Sequence, residues 1–117
     1  MDAEHLLSVT SRRLPAAVVV AAAGEIDLAT ADDLAKVVQA AFALHPGTVV
    51  IDLTDVQFLA SAGLSVLIEA ERAAHETGRL LSVVVGEHHS VTRSLTTSGL
   101  ADHLTLFHNL DDALRSD

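Results

Sequence analysis

Apolar residues in this chain fall into two rhythms, continuous runs and helical spacings, and the two alternate from end to end. Leu6 to Thr10 alternates weakly and reads as an edge strand. Arg12-Arg13-Leu14-Pro15 reads as a turn. Ala16 to Ala23 is apolar throughout, and its Val18-Val19-Val20 core favours a strand buried on both faces, ended by Gly24-Glu25-Ile26-Asp27. Thr30 with Asp33 makes a start resembling a capping box, and Leu34, Val37, Val38 and Ala41 continue at helical spacing until His45-Pro46-Gly47. Thr48 to Leu53 is a second buried strand. Ser61 to about Thr77 is a second helix, with Leu64, Leu67, Ile68 and Ala74 on one face, Glu69, Arg72 and Glu76 off it, and Gly78 closing it. Leu80 to Val85 is a third buried strand. Ser90 to Ser98 has weak helix propensity, yet Val91 and Leu95 share a face and Gly99 fits a stop, so a short helix is expected. His103 to Phe107 is a last strand, and Asn109 caps a final turn whose dipole favours Asp111 and Asp112.

The resulting order, β-β-α-β-α-β-α-β-α, predicts an α/β fold. Doubly apolar strands alternating with helices imply a mainly parallel sheet with right-handed crossovers, and the first strand is expected to pair antiparallel at an edge.

Within that order one hydroxyl is unusually placed. The run Val49-Val50-Ile51-Asp52-Leu53-Thr54-Asp55-Val56-Gln57-Phe58-Leu59-Ala60-Ser61-Ala62-Gly63-Leu64 reads as buried strand, short loop and first helical turn. Ser61 then faces free N–H groups at a helix start, where negative charge is favoured. Serine is also a common N-cap, and spacing alone favours that plain role. Three features favour a functional one. The loop Val56 to Ala60 is apolar where solvent-facing loops are usually polar. Ala60, Ala62 and Gly63 leave room around the hydroxyl. Strand C-termini are where open α/β sheets place their function.

Composition narrows the possibilities. The chain has 117 residues, which argues for one domain over 1–117, and 50% are apolar, which argues for a packed core. Sixteen acidic residues against seven Lys plus Arg give a net charge of −9. Nucleic acid and anionic membrane surfaces are therefore unexpected partners. Cysteine is absent, which removes disulfides, thiolate metal sites and thiol catalysis. The acidic start Met1-Asp2-Ala3-Glu4-His5 is unlike a signal peptide, and no apolar run approaches the ~20 residues of a spanning helix. The cytoplasm is the expected location, and no cofactor is expected.

Other chemistries fit less well. Leu59-Ala60-Ser61-Ala62-Gly63 matches a nucleophile elbow only in its last three positions. His88, His89, His103 and His108 follow it, with Asp102 as a conceivable acid, but nothing in the sequence brings them to Ser61. Asp27, Asp52 and Asp55 lie near strand ends, yet Lys36 is the only lysine and sits mid-helix, so neither an aspartyl-phosphate site nor a phosphate loop is supplied. Seven histidines raise the question of a metal, but there is no His-x-x-x-His face and His88-His89 point apart.

Two segments together resemble the STAS family, the sulfate transporter and anti-sigma factor antagonist domains. One is Gly24-Glu25-Ile26-Asp27 followed by Thr30-Ala31. The other is Val50 through Leu64, centred on Ser61. A weaker third is Val91-Thr92-Arg93-Ser94-Leu95 with Ser98-Gly99-Leu100. The order and length are those of a STAS-like domain standing alone, similar to a bacterial anti-sigma factor antagonist. The expected architecture is a mainly parallel mixed sheet of about five strands with about four helices.

The resemblance implies a partner and a switch. The unphosphorylated domain would bind an anti-sigma factor that is also a serine kinase of the histidine-kinase-like ATPase fold, freeing a sigma factor for RNA polymerase. That kinase would phosphorylate Ser61, the first serine of the family's Asp-Ser-Ser-Gly motif, and a phosphatase would restore binding. Here Ala60 replaces the family's aspartate and Ala62 its second serine. The partner surface implied is Glu25, Asp27, Thr30, Phe58, Leu59, Ala60, Ser61, Ala62, Gly63 and Leu64. Phe58 and Leu59 are expected to be exposed on it. Three other readings stand beside this one: a STAS module that binds constitutively without switching, motivated by Ala60 and Ala62; a small serine hydrolase; and nucleotide or lipid binding, implied by resemblance to other STAS domains but with no phosphate loop in the sequence to support it.

Overall fold

The computed structural model describes residues 7–115. Five strands form one sheet in chain order: β1 (Leu7–Arg13), β2 (Ala17–Ile26), β3 (Thr48–Leu59), β4 (Leu81–Val85) and β5 (Leu106–Phe107). β1 pairs antiparallel with β2, and all later pairings are parallel. The helices are α1 (Ala31–Leu44), α2 (Ser61–Glu76), α3 (His89–Thr97) and α4 (Leu110–Arg115). The expected mixed α/β sheet with an antiparallel edge is therefore the observed one.

The doubly apolar strands have two covers, as their patterning requires. On one face Val18, Val20, Val49, Ile51, Leu53, Val83 and Val85 pack under Leu34 and Val38 of α1, Leu67 and Ala70 of α2, and Val91 and Leu95 of α3. On the other, Ala17, Val19, Val50 and Val84 pack against Ala113 of α4, with Leu14, Phe107 and Leu110 closing the patch. Asn109 starts α4 as expected, its Oδ1 accepting the Asp112 N–H at 2.8 Å.

Several boundaries move, each for a physical reason. Arg12 and Arg13 belong to β1, not to a turn: antiparallel pairing with Val19 and Val18 carries the strand to Arg13, and the reversal comes at Leu14, whose N–H reaches Ala17 O at 2.8 Å. Leu6, the expected first strand residue, lies outside the described residues. β2 continues past Ala23 to Ile26, and β3 past Leu53 to Leu59, so the expected apolar loop Val56–Ala60 is strand as far as Leu59. Two register shifts, between Ala21 and Ala23 and between Gly24 and Glu25, put extra residues on β3. They explain why Leu53, Val56 and Leu59 all turn inward at a spacing of three, where a regular strand alternates. β5 is shorter than expected, because Leu100–Asp102 forms a 3-10 turn and pairing begins only at Leu106.

α2 is held by three small residues and one leucine. Gly63, Leu67, Ala70 and Ala74 are its buried positions, while Ile68, expected on the packed face, is 45% exposed. The helix ends in a Schellman motif: Gly78 (φ 67°) donates to His75 O and Arg79 to Ala74 O. Arg79 then reaches back across the fold. Its guanidinium donates to the carbonyls of Phe42 (2.6 Å), His45 and Gly47 and lies 4.9 Å from the Phe42 ring centroid. α1 has no basic residue in its last turn, so this distant arginine satisfies its terminal carbonyls.

Candidate functional site

The C-terminal ends of β2 and β3 converge on the start of α2. Ile26 and Leu59 are register partners, as are Glu25 and Phe58, and the Ala60 N–H donates to Ile26 O at 2.8 Å. Gly63 lies directly above that pair. A Cβ there would sit 2.4 Å from Leu59 Cδ1 and 2.6 Å from Ile26 Cγ2, so only glycine lets the first turn of α2 press onto the strand ends.

That packing fixes Ser61 at the surface as the first residue of α2. It is not the N-cap; Ala60 is, and it has no side chain to cap with. Ala60 O accepts from Gly63 and Leu64, while the amides of Ser61 and Ala62 and the Ser61 hydroxyl find no partner among the described residues. The site is thus an exposed hydroxyl between two alanines, beside two free donors and the positive end of a helix. Among the described residues no histidine is bonded to Ser61, as a base activating a nucleophilic serine would be. Among the described residues no group of His, Asp and Glu is arranged to hold a metal ion.

The turn from β2 to α1 is built from the predicted polar residues, but inwardly. Thr30 is buried, and its hydroxyl accepts the Asp27 N–H at 2.9 Å and donates to Glu25 O at 2.8 Å. It makes no capping bond to α1, so the expected capping box is absent. Asp27 Oδ1 accepts the amides of Ala29 and Thr30 at 3.0 and 3.1 Å. This local Asx turn does what the box was expected to do, fixing the chain's entry into α1.

The predicted partner residues therefore divide. Glu25, Asp27, Phe58, Ala60, Ser61, Ala62 and Leu64 retain accessible surface, Phe58 at 46% exposure. Leu59 is only 2% exposed, contrary to expectation, because the second register shift turns it into the core. Thr30 and Gly63 are also buried. These three shape the surface from beneath.

Two elements escaped the sequence reading. Ser90 and Ser94, one turn apart on α3, donate to the carbonyls of Gln57 and Leu59, the latter at 2.8 Å. They pair the irregular end of β3 after its neighbour β4 has ended at Val85. The clue was present: two serines at i, i+4 in a helix otherwise poor in helix formers. The second is Leu28, 88% exposed in the turn beside Asp27, and nothing in its spacing marks it.

The model of the family described as "Mlab, STAS domain" matches residues 9–108. The chain belongs to the STAS family. This STAS chain is 35% identical over 115 residues to the anti-sigma-F factor antagonist RsfB of Mycobacterium tuberculosis, covering 97% of the chain and 92% of the relative. Its structure is similar to the crystal structure of an anti-sigma factor antagonist from Mycobacterium paratuberculosis, with a TM-score of 0.84 and 33% identity over 97% of this chain and 96% of that one. The fold alone is shared with unphosphorylated SpoIIAA, another anti-sigma factor antagonist, at TM-score 0.72 and 15% identity over 92% and 93% of the two chains. No helix among the described residues is long and apolar enough to cross a membrane.

Proposed function

We propose that this STAS protein is an anti-sigma factor antagonist, a binding protein and not an enzyme, acting in the cytoplasm. The names of its relatives support the general role. In its unphosphorylated form it binds an anti-sigma factor that is also a serine kinase of the histidine-kinase-like ATPase fold, and so releases a sigma factor. Phosphorylation of Ser61 ends that binding, and a phosphatase restores it. The observation that carries the switch is the free, exposed Ser61 hydroxyl at the start of α2.

The physical argument is local. A phosphate adds about −1.5 to −2 charges near neutral pH. At Ser61 the two free amides and the helix dipole receive that charge, so the fold has no reason to change. What changes is a surface on which half-exposed Phe58 and Glu25 stand side by side in register. A partner seated there would have to desolvate a dianion against an apolar ring, and the existing carboxylates add repulsion to any acidic partner group.

A comparison of wild type with Ser61→Glu tests this. The expected result is amide NMR shifts confined to the first turn of α2 and its neighbours, together with loss of anti-sigma factor binding. Shifts spread across the core, or unchanged affinity, would contradict it. Ala60 and Ala62 favour one second reading, a module that binds without switching. Incubation with the partner kinase and ATP, followed by mass spectrometry, separates the two: phosphate on Ser61 supports the switch, and none supports the constitutive module.

A further inference from the structure

A groove runs between α1 and α2 on the side of the sheet that carries three helices, and the reading of Ser61 uses it at Ala62 alone. Its floor is alanine and valine, including Ala31, Ala35, Ala62 and Val66, with Leu28 at one end and Phe42 at the other. Small side chains on both helices leave a trough of about 820 Å³. α1 has 14 residues, so the trough is about 20 Å long, close to four helical turns. Exposed Leu28 would cost nothing to cover and is placed to cap one end of whatever lies there.

The shape and charge together specify an occupant. The walls are two helices whose backbone groups beyond their first turns are paired within themselves, so the groove offers no strand edge. An extended peptide laid on this floor would leave its own N–H and C=O groups unsatisfied, whereas a helix brings its bonds with it. The charged side chains lining the groove are Asp32 and Glu69; no Lys, Arg or His lines it. Glu69 has a loose contact with Arg72 at 3.6 Å, both largely exposed, and Asp32 has no ion pair among the described residues. With a chain charge of −9, a second copy of this protein would bring acidic rim against acidic rim, and a fatty acid would bring a carboxylate to the same rim.

We propose that the α1–α2 groove docks an amphipathic helix of a partner protein, with large aliphatic residues at i, i+4 and i+7 facing the alanine floor and Lys or Arg facing Asp32 and Glu69. This surface meets the Phe58 side of Ser61 at Ala62, and the proposal holds whether or not Ser61 accepts a phosphate.

The test uses the isotope-labelled chain and three synthetic peptides about four turns long. The first carries a leucine stripe with lysines on its polar face, the second the same stripe with glutamates, and the third the first composition scrambled. The expected result is saturable binding of the first alone, shifting the amides of Ala35, Ala62 and Val66. Replacing the exposed rim charges together, Asp32→Asn with Glu69→Gln, should weaken it about tenfold or more, and Leu28→Ala should weaken it further. Leu44→Ala, another exposed leucine and absent from the groove lining, should leave it unchanged. Equal binding of the lysine and glutamate peptides, binding of the scrambled peptide, or shifts centred on Phe58 and α3 would overturn the proposal. So would concentration-dependent shifts of the same amides without peptide, which would assign the groove to a second copy, or saturation by decanoate in place of the lysine peptide.

Discussion

Ser61 and Gly63 share one helical turn and do opposite things. Ser61 has nothing to hold: it follows the N-cap, and its hydroxyl has no partner among the described residues. Ser61→Ala should therefore change unfolding free energy by less than about 0.5 kcal/mol, as for other surface positions, where loss of a true N-cap would cost about 1 kcal/mol. Urea denaturation decides between them, and a loss of 1 kcal/mol or more would restore the capping role. Gly63 has everything to hold. Gly63→Ala forces a methyl against buried Leu59 and Ile26 and should cost about 1–3 kcal/mol, with a clear drop in the urea midpoint. An unchanged midpoint would mean that α2 can lift off the strand ends freely. The sequence alone placed Ser61 at a helix start but not past the cap, because cap and first residue differ by one position and by backbone angles that composition does not encode.

At the scale of elements, long-range ties decide what local pattern leaves open. Arg79 follows α2 yet satisfies the carbonyl end of α1 and the turn before β3. Arg79→Met keeps much of the apolar stem and strands those carbonyls, so it should cost about 1–3 kcal/mol. Hydrogen exchange should quicken first at the end of α1; uniform quickening, or none, would show that the tie does not act there. The same logic marks what was legible. The cores of β2, β3 and β4 were plain from their valine runs. The tails of β2 and β3 were not, because Gly24, Asp52, Thr54 and Asp55 break the apolar run and two register shifts replace alternation with a spacing of three. The apolar segment before Ser61 thus has a structural cause: Val56 and Leu59 are core residues of a strand. Ile68 looked packed because it sits at helical spacing from Leu64, yet the positions of α2 that face the core are Gly63, Leu67, Ala70 and Ala74, and Ile68 lies off that stripe.

For the molecule as a whole, the fold puts its stability and its proposed binding surface in different places. Apolar strands covered on both faces make the body. The C-terminal ends of β2 and β3, braced by Ser90 and Ser94 from α3 and by Asp27 and Thr30 from the turn, present an exposed serine on a hydrogen-bonded base. Such a base suits the switch proposed for Ser61, one that alters a surface without altering a fold. The most direct test is the dissociation constant for the anti-sigma factors of the source organism, measured by calorimetry with the unmodified chain and with phosphoserine installed at Ser61. Tight binding by one of them to the unmodified chain, weakened about tenfold or more by the phosphate, a change of about 1.4 kcal/mol, is the predicted result. Binding by none of them, or equal affinity with and without the phosphate, would contradict it.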